Sequence, residues 1–357
     1  MKQTILLMIL MFKSDNDTQL IDGKAVVITH ISSPSIQGMF LNIGAAVQSL
    51  LVKDKDGCWQ DIVLGFDDLE SYLYRNTPSL GVVHAVVTNR IKGGTFTLNG
   101  NKYLLAQNAD GHALHIGKLS DKIWQVELVE GQNQVEICYS INIEDGYGGL
   151  PGPLTIKVTY ILTEGALSVF YKVIAYNQPV VANLTNHSYF NLDGNIQQGL
   201  KNHRLSINSS KILAVDDSLI PTGGFESLDS CLRFERKQLL VNEESCQLHP
   251  LLLKASGYDF HYVFDKHASA KPCASLYSSK SGIEMTVRTD CPGLQLYTAN
   301  FLSGITGKDA TEYTPYSSVC LETQYPPDAI HHQGFESIVI PAHSERENYT
   351  SFHFSIH

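Results

Sequence analysis

The sequence predicts an all-β protein: a large antiparallel β-sandwich built as one domain over residues 1–357, with residues 1–20 an N-terminal segment of uncertain role. Three observations carry this. Short runs rich in β-branched and aromatic residues recur along the chain, bounded by Gly, Pro, Asn and Asp turn signals. The clearest pair, LTIKVTYIL (154–162) and LSVFYKVIAY (167–176), is joined across Glu164-Gly165 and reads as two adjacent antiparallel strands. Helix start and stop signals are sparse, and neither a fixed-period repeat nor a linker interrupts the chain.

In chain order, Ile5 to Phe12 is an eight-residue apolar run after Lys2, too short to cross a bilayer. No small-x-small cleavage site follows it, and Lys13, Ser14 and Asp15 come next, so it is expected to be an opening strand rather than a secretion signal, which places the protein in the cytoplasm. Met39, Leu41 and Ile43, then Val47, Leu50, Leu51 and Val52, predict two short strands broken at Gly44, before a turn at DKDG (54–57). Residues 67–76 predict one or two helical turns. Asn99-Gly100 predicts a tight hairpin, because both residues tolerate the positive φ of a type I′ turn. Residues 181–190 read as an apolar core strand running into a polar cluster. The segment 195–256 reads as strands and turns that shape one wall, and 293–302 and 318–325 as two further strands.

With 43% hydrophobic residues there is ample material for a large core. The net charge of -10 comes without any run of Lys or Arg, so neither nucleic acid nor an anionic membrane is an expected partner. Seven cysteines, odd in number, widely spread and without a CxxC pair, read as reduced thiols rather than a disulfide framework or a zinc site.

Candidate chemistry begins at VVANLTNHSYFNLDG, centred on His187. Period-2 alternation puts Asn183, Thr185 and His187 on one face and Asn186 and Ser188 on the other. Buried polar groups must be hydrogen-bonded or reach water, and a wet cleft is the economical answer. The bland reading is a histidine capping a strand end. In SVCLETQY the same alternation places Glu322 with Ser318, Cys320 and Gln324. A carboxylate amid apolar residues suits a cleft floor, although alone it is more often an exposed strand residue. Asn89, Arg90, His115, Asp259 and Gln295 fall at the ends or middles of other strand-like segments, each weak by itself. Asp259 is the hardest to dismiss, since an acid flanked by Tyr258 and Phe260 is a frequent device for gripping sugar hydroxyls.

Together these segments resemble the aldose 1-epimerase (galactose mutarotase) family: NRI, LHIG, TNHSYFNL, GYD, PGLQLYTANF and CLETQYPPDA follow its motifs in order, from about residue 38 to the C-terminus. The resemblance implies the galactose-mutarotase supersandwich, a free aldohexopyranose as substrate and no cofactor. It makes Glu322 the general base, His187 the general acid, and Asn89, Arg90, His115, Asp259 and Gln295 the groups that position the sugar. The chain departs from the family at Ile116 in LHIG and at Cys291 before PGLQ, where an acid is usual, which puts hydroxyl selectivity and affinity in doubt. The expected partner is the sugar alone, bound by a monomer or weak dimer.

Anomer exchange needs the C1 hydroxyl to lose a proton while the ring oxygen gains one, so two opposed proton handlers suffice. They are expected to face each other across a gap the width of a pyranose ring, with His187 charged beside Glu322 and Asp259, and Glu322 held ionised by Arg90 and the imidazolium. Three rivals are weighed: an iron site made of His115, His187 and Glu322; a sugar-phosphate epimerase, which would want more cations than Arg90; and a sugar-binding module without turnover.

Overall fold

Alternating residues along strand after strand are buried, and the sheets they form are antiparallel throughout. The computed structural model describes residues 13–131, 134–194, 196–235, 238–240, 246, 248–265 and 271–357. The strand expected at 5–12 lies outside them. The first sheet is a five-stranded meander of Lys13–Ile21, Lys24–Ser32, Ile36–Leu41, Ala46–Lys53 and Trp59–Asp61. Its third and fourth strands are the pair expected on either side of Gly44, whose φ is +61°. The largest sheet has nine strands, with Leu154–Thr163 and Ala166–Ala175 paired near its middle and flanked by the C-terminal strand Glu345–Ile356. A second five-stranded sheet runs Pro221–Ser227, Ser209–Val215, Asp259–Phe264, Gly293–Tyr297, Cys320–Gln324.

Helix is limited to short pieces, including Leu69–Tyr74 in the expected place, where Asp68 caps the N-terminus by accepting from the Ser71 N–H. The Asn99-Gly100 turn joins Thr95–Leu98 to Asn101–Leu104 with φ of 49° and 82°, as its chemistry demands.

Residues 182–191 differ from expectation. Only Val180–Val181 is strand, paired with Val339–Ile340. Beyond it the chain leaves regular pairing and becomes a seam. The His187 N–H donates to Val82 O and its carbonyl accepts from Gly81, while Phe190 exchanges both backbone hydrogen bonds with Val319. The side chains of Asn183, Asn186 and Ser188 are likewise satisfied by protein rather than by water. Asn183 bonds the backbone of Tyr325 through both its amide oxygen and nitrogen. Asn186 donates to Gly81 O and Tyr160 Oη and accepts from Ser188.

The cysteine reading is also corrected. Cys231 and Cys246 form a disulfide, while Cys58, Cys138, Cys273, Cys291 and Cys320 are free. An odd count does not forbid one bridge, and these two Cα atoms lie 5.5 Å apart although 15 positions separate them in the sequence.

Tyr160 ties the seam to the first sheet: its buried hydroxyl donates to Ala45 O at 2.7 Å and accepts from Asn186 Nδ2 at 3.1 Å. Tyr160→Phe keeps the ring and removes both bonds, so it should lower unfolding stability by about 1–3 kcal/mol. A urea midpoint equal to that of the parent protein would show that the bridge does not hold the seam.

Candidate active site

The strand Cys320–Gln324 carries the alternation that the sequence implies. Val319 and Leu321 enter the larger core, Cys320 packs in the smaller one, and Glu322 is turned toward His187 with only 3% of its surface exposed. Antiparallel register sets Gln295 directly opposite Glu322, and Tyr297 opposite both Cys320 and Asp259. The five-stranded sheet therefore presents Glu322, Gln295 and Asp259 on one surface. Gln295 Nε2 donates to Asp259 Oδ1 at 2.6 Å, and Arg90 Nη2 approaches Asp259 Oδ2 at 3.5 Å.

Arg90 and His115 come from a second element, the pairing of Ala85–Ile91 with Ala113–Lys118. Its register slips between Val87 and Arg90, and the irregularity re-aims the side chains there. Asn89 and His115 both adopt left-handed backbone, φ 63° and 54°, a conformation Asn and His tolerate better than most residues. The strained pair closes on itself, for the Asn89 N–H donates to His115 Nδ1 at 3.1 Å. That bond requires an unprotonated Nδ1, leaving Nε2 as the N–H of the neutral ring. Asn89 Oδ1 accepts from the Arg90 N–H at 2.8 Å.

His187 is presented by the seam and is 6% exposed. Its ring stacks on Tyr189 at 4.8 Å between centroids, Cys320 Sγ lies 3.6 Å from Nδ1, and Nε2 lies 3.6 Å from Glu322 Oε1. The structure thus gathers all seven predicted residues, Asn89, Arg90, His115, His187, Asp259, Gln295 and Glu322, around one site. The expected spacing needs revision: His187 and Glu322 are neighbours, not groups separated by a ring.

The expected charges are corrected too. Burial, followed by the nearby His84, pushes His187 well below its ordinary value of 6.5. Burial, followed by Asp259, pushes Glu322 well above its ordinary 4.5. Arg90 pairs with Asp259 rather than with Glu322. Both shifts run toward the uncharged forms, a carboxylic acid and a neutral imidazole, since desolvation penalises both charges.

Sequence reasoning missed four residues at this site: His84, Tyr189, Tyr297 and Cys320. Cys320 was legible as the strand-face mate of Glu322. His84 was a single histidine in the apolar run GVVHAVV, with no spacing signal. Both departures from the family pattern are buried: Ile116 packs in the larger core, and the backbone N–H of Cys291 donates to Thr289 Oγ1. Among the described residues, no group of three or more His, Cys, Asp or Glu side chains is arranged to hold a metal ion.

Comparison with known proteins points the same way. The family model for aldose 1-epimerase matches residues 28–353. The galactose mutarotase of Bos taurus is 36% identical over 91% of this chain and 93% of its own length, and that of Homo sapiens is 34% identical over 94% and 95%. The crystal structure of the GalM/aldose epimerase homologue from C. elegans superposes with a TM-score of 0.81 at 28% identity, covering 90% of this chain and 96% of that one. The alternating strands, the seam that delivers one imidazole and the sheet that delivers one carboxyl therefore agree with the matches along the sequence, and the chain belongs to the aldose 1-epimerase family of isomerases, which interconvert the anomers of aldoses.

Proposed function

We propose that the substrates are free aldohexopyranoses, glucose and galactose among them, and that His187 and Glu322 move the two protons. One observation carries this reading: a carboxyl oxygen and an imidazole nitrogen 3.6 Å apart, both buried, at the junction of two cores. In the cyclic sugar, the C1 hydroxyl donates to a Glu322 carboxylate while a His187 imidazolium donates to the ring oxygen. The C1–O5 bond breaks, leaving the aldehyde, a protonated Glu322 and a neutral His187. Rotation about C1–C2 and return of both protons closes the ring as the other anomer.

The number of protons on the pair is one throughout, and only their placement changes. The neutral arrangement favoured by burial is the arrangement reached after ring opening, so desolvation works in the direction of the difficult step. The bound sugar supplies what the charged arrangement needs, a hydroxyl donor for the carboxylate and an acceptor for the imidazolium. Asp259, held between Arg90 and Gln295, offers acceptor oxygens for other hydroxyls, and the Nε2–H of His115 offers a donor. One cation beside the site, already paired, is poor provision for a sugar phosphate.

Polarimetry on freshly dissolved α-D-glucose and α-D-galactose tests the reading directly, with acceleration over buffer at micromolar protein expected for both. Binding without acceleration would leave a sugar-binding module instead, and loss of activity to a strong chelator would revive the metal triad. Glu322→Gln keeps the volume and removes the proton carrier, so kcat should fall by two or more orders of magnitude, the usual worth of a general base being about 10² to 10⁴. An undiminished kcat would remove Glu322 from the mechanism.

The pH profile follows from the proton count. Adding a second proton to the pair charges His187, whose affinity burial has lowered, so the acid limb of kcat/KM should lie below 6.5. Removing the only proton ionises Glu322, whose affinity burial has raised, so the alkaline limb should lie above 4.5. An acid limb at or above the value of free imidazole, or an alkaline limb at or below that of a free carboxyl, would contradict the pairing.

A further inference from the structure

His84 stands just before the strand Ala85–Ile91 and is used by none of the steps above. Its ring stacks on His115 with centroids 3.7 Å apart and planes 29° from parallel, and meets His187 edge-on at 5.0 Å. Three imidazoles thus share one corner of the site, and they present themselves in the same way. Nδ1 of His187 faces Cys320 Sγ, Nδ1 of His115 accepts from Asn89, and Nδ1 of His84 is sealed in protein without a hydrogen-bond partner. The backbone of His84 is engaged on both sides, its N–H with Thr185 O and its carbonyl with Leu119 N. Yet the residue as a whole is partly exposed, and the sealed Nδ1 has no part in that exposure.

The proton count follows from the same burial. Burial holds His84 down to about 4, so at neutral pH the ring carries one proton. Donation to a ligand requires that proton on Nε2, since Nδ1 is sealed in protein. The His84 ring stands in the same corner as the rings of His187 and His115.

Resting on the sugar-isomerase reading above, we propose that His84 is a third sugar-contacting imidazole, donating from Nε2 to one hydroxyl of the bound aldose and so helping to select which aldose is accepted. Stacking alone would give a purely structural role, and the two make different demands. A structural histidine sets the height of the site for every sugar alike. A donor matters only to sugars that carry the hydroxyl it meets.

The test is a cycle between residue and substrate. His84→Phe keeps an aromatic ring against His115 and removes the N–H, and His84→Ala serves should the phenyl ring hinder folding. Each is measured with glucose, galactose and a series of deoxyhexoses that each lack one hydroxyl, by kcat/KM in polarimetry and by equilibrium binding on the Glu322→Gln background. For one deoxy position the protein with His84 should lose about three- to tenfold, the worth of one neutral hydrogen bond, while the His84 variants lose nothing further there. Equal losses at every position with and without His84 would overturn the proposal. Binding without acceleration by the parent protein would count against the isomerase reading alone, because the binding cycle would still report on His84. Absence of sugar binding by the parent protein would overturn both.

Discussion

The constraint on which the site depends is the removal of an acid and a base from water at a distance of 3.6 Å. In a cleft open to solvent, a carboxyl and an imidazole with their ordinary pKa values would hold the one proton between them on the imidazole, as a hydrated ion pair. Buried at 3% and 6% exposure, the pair instead favours the proton on the carboxyl, because the solvation that would favour the charged arrangement has been stripped away. A reaction that opens and recloses the same bond from either face needs both placements within reach, and hydrogen bonds from a bound sugar can offset the cost of the charged one. A pair that strongly preferred one arrangement would hold the sugar closed or hold it open.

The fold meets that constraint by supplying the two groups from elements that cannot drift. Glu322 lies in a strand paired with Gly293–Tyr297, which in turn pairs with Asp259–Phe264, so the register of hydrogen bonds fixes the carboxyl, Gln295 and Asp259 relative to one another. His187 comes from an irregular seam, but one whose backbone is bonded to Val82 and Gly81 and whose neighbouring amides are bonded to protein. Cys320 connects the two: it is the strand neighbour of Glu322 by alternation and lies against Nδ1 of His187. Small motions of either element are therefore felt by both proton carriers.

How much of this the sequence disclosed depended on whether the governing interaction was local. The Asn99-Gly100 hairpin was readable because its φ angles, 49° and 82°, are set by two residues. The alternation around Glu322 was readable because pleating acts between adjacent residues, and Val319 and Leu321 do enter one core while Cys320 enters the other. The seam at 182–191 was misread as strand because its partners, near Val82 and at Val319, are remote in the chain and impose no period of two. The Cys231–Cys246 bridge and the packing of His84 on His115 depend likewise on how distant segments meet. Protonation was the least legible property, since burial belongs to the assembled fold, and the neighbours of a charge in sequence say little about its solvation.

The two carboxylates of the site show how far environment alone separates roles. Asp259 keeps a guanidinium at 3.5 Å from one carboxyl oxygen and a donated amide hydrogen at 2.6 Å from the other. Glu322 has no cation of its own; its nearest partner is an imidazole that burial keeps neutral, and the charge of Asp259 adds to the cost of ionising it. The guanidinium of Arg90 makes the difference by where it points: on Asp259 it leaves Glu322 to the effects of burial, whereas on Glu322 it would hold that carboxyl ionised.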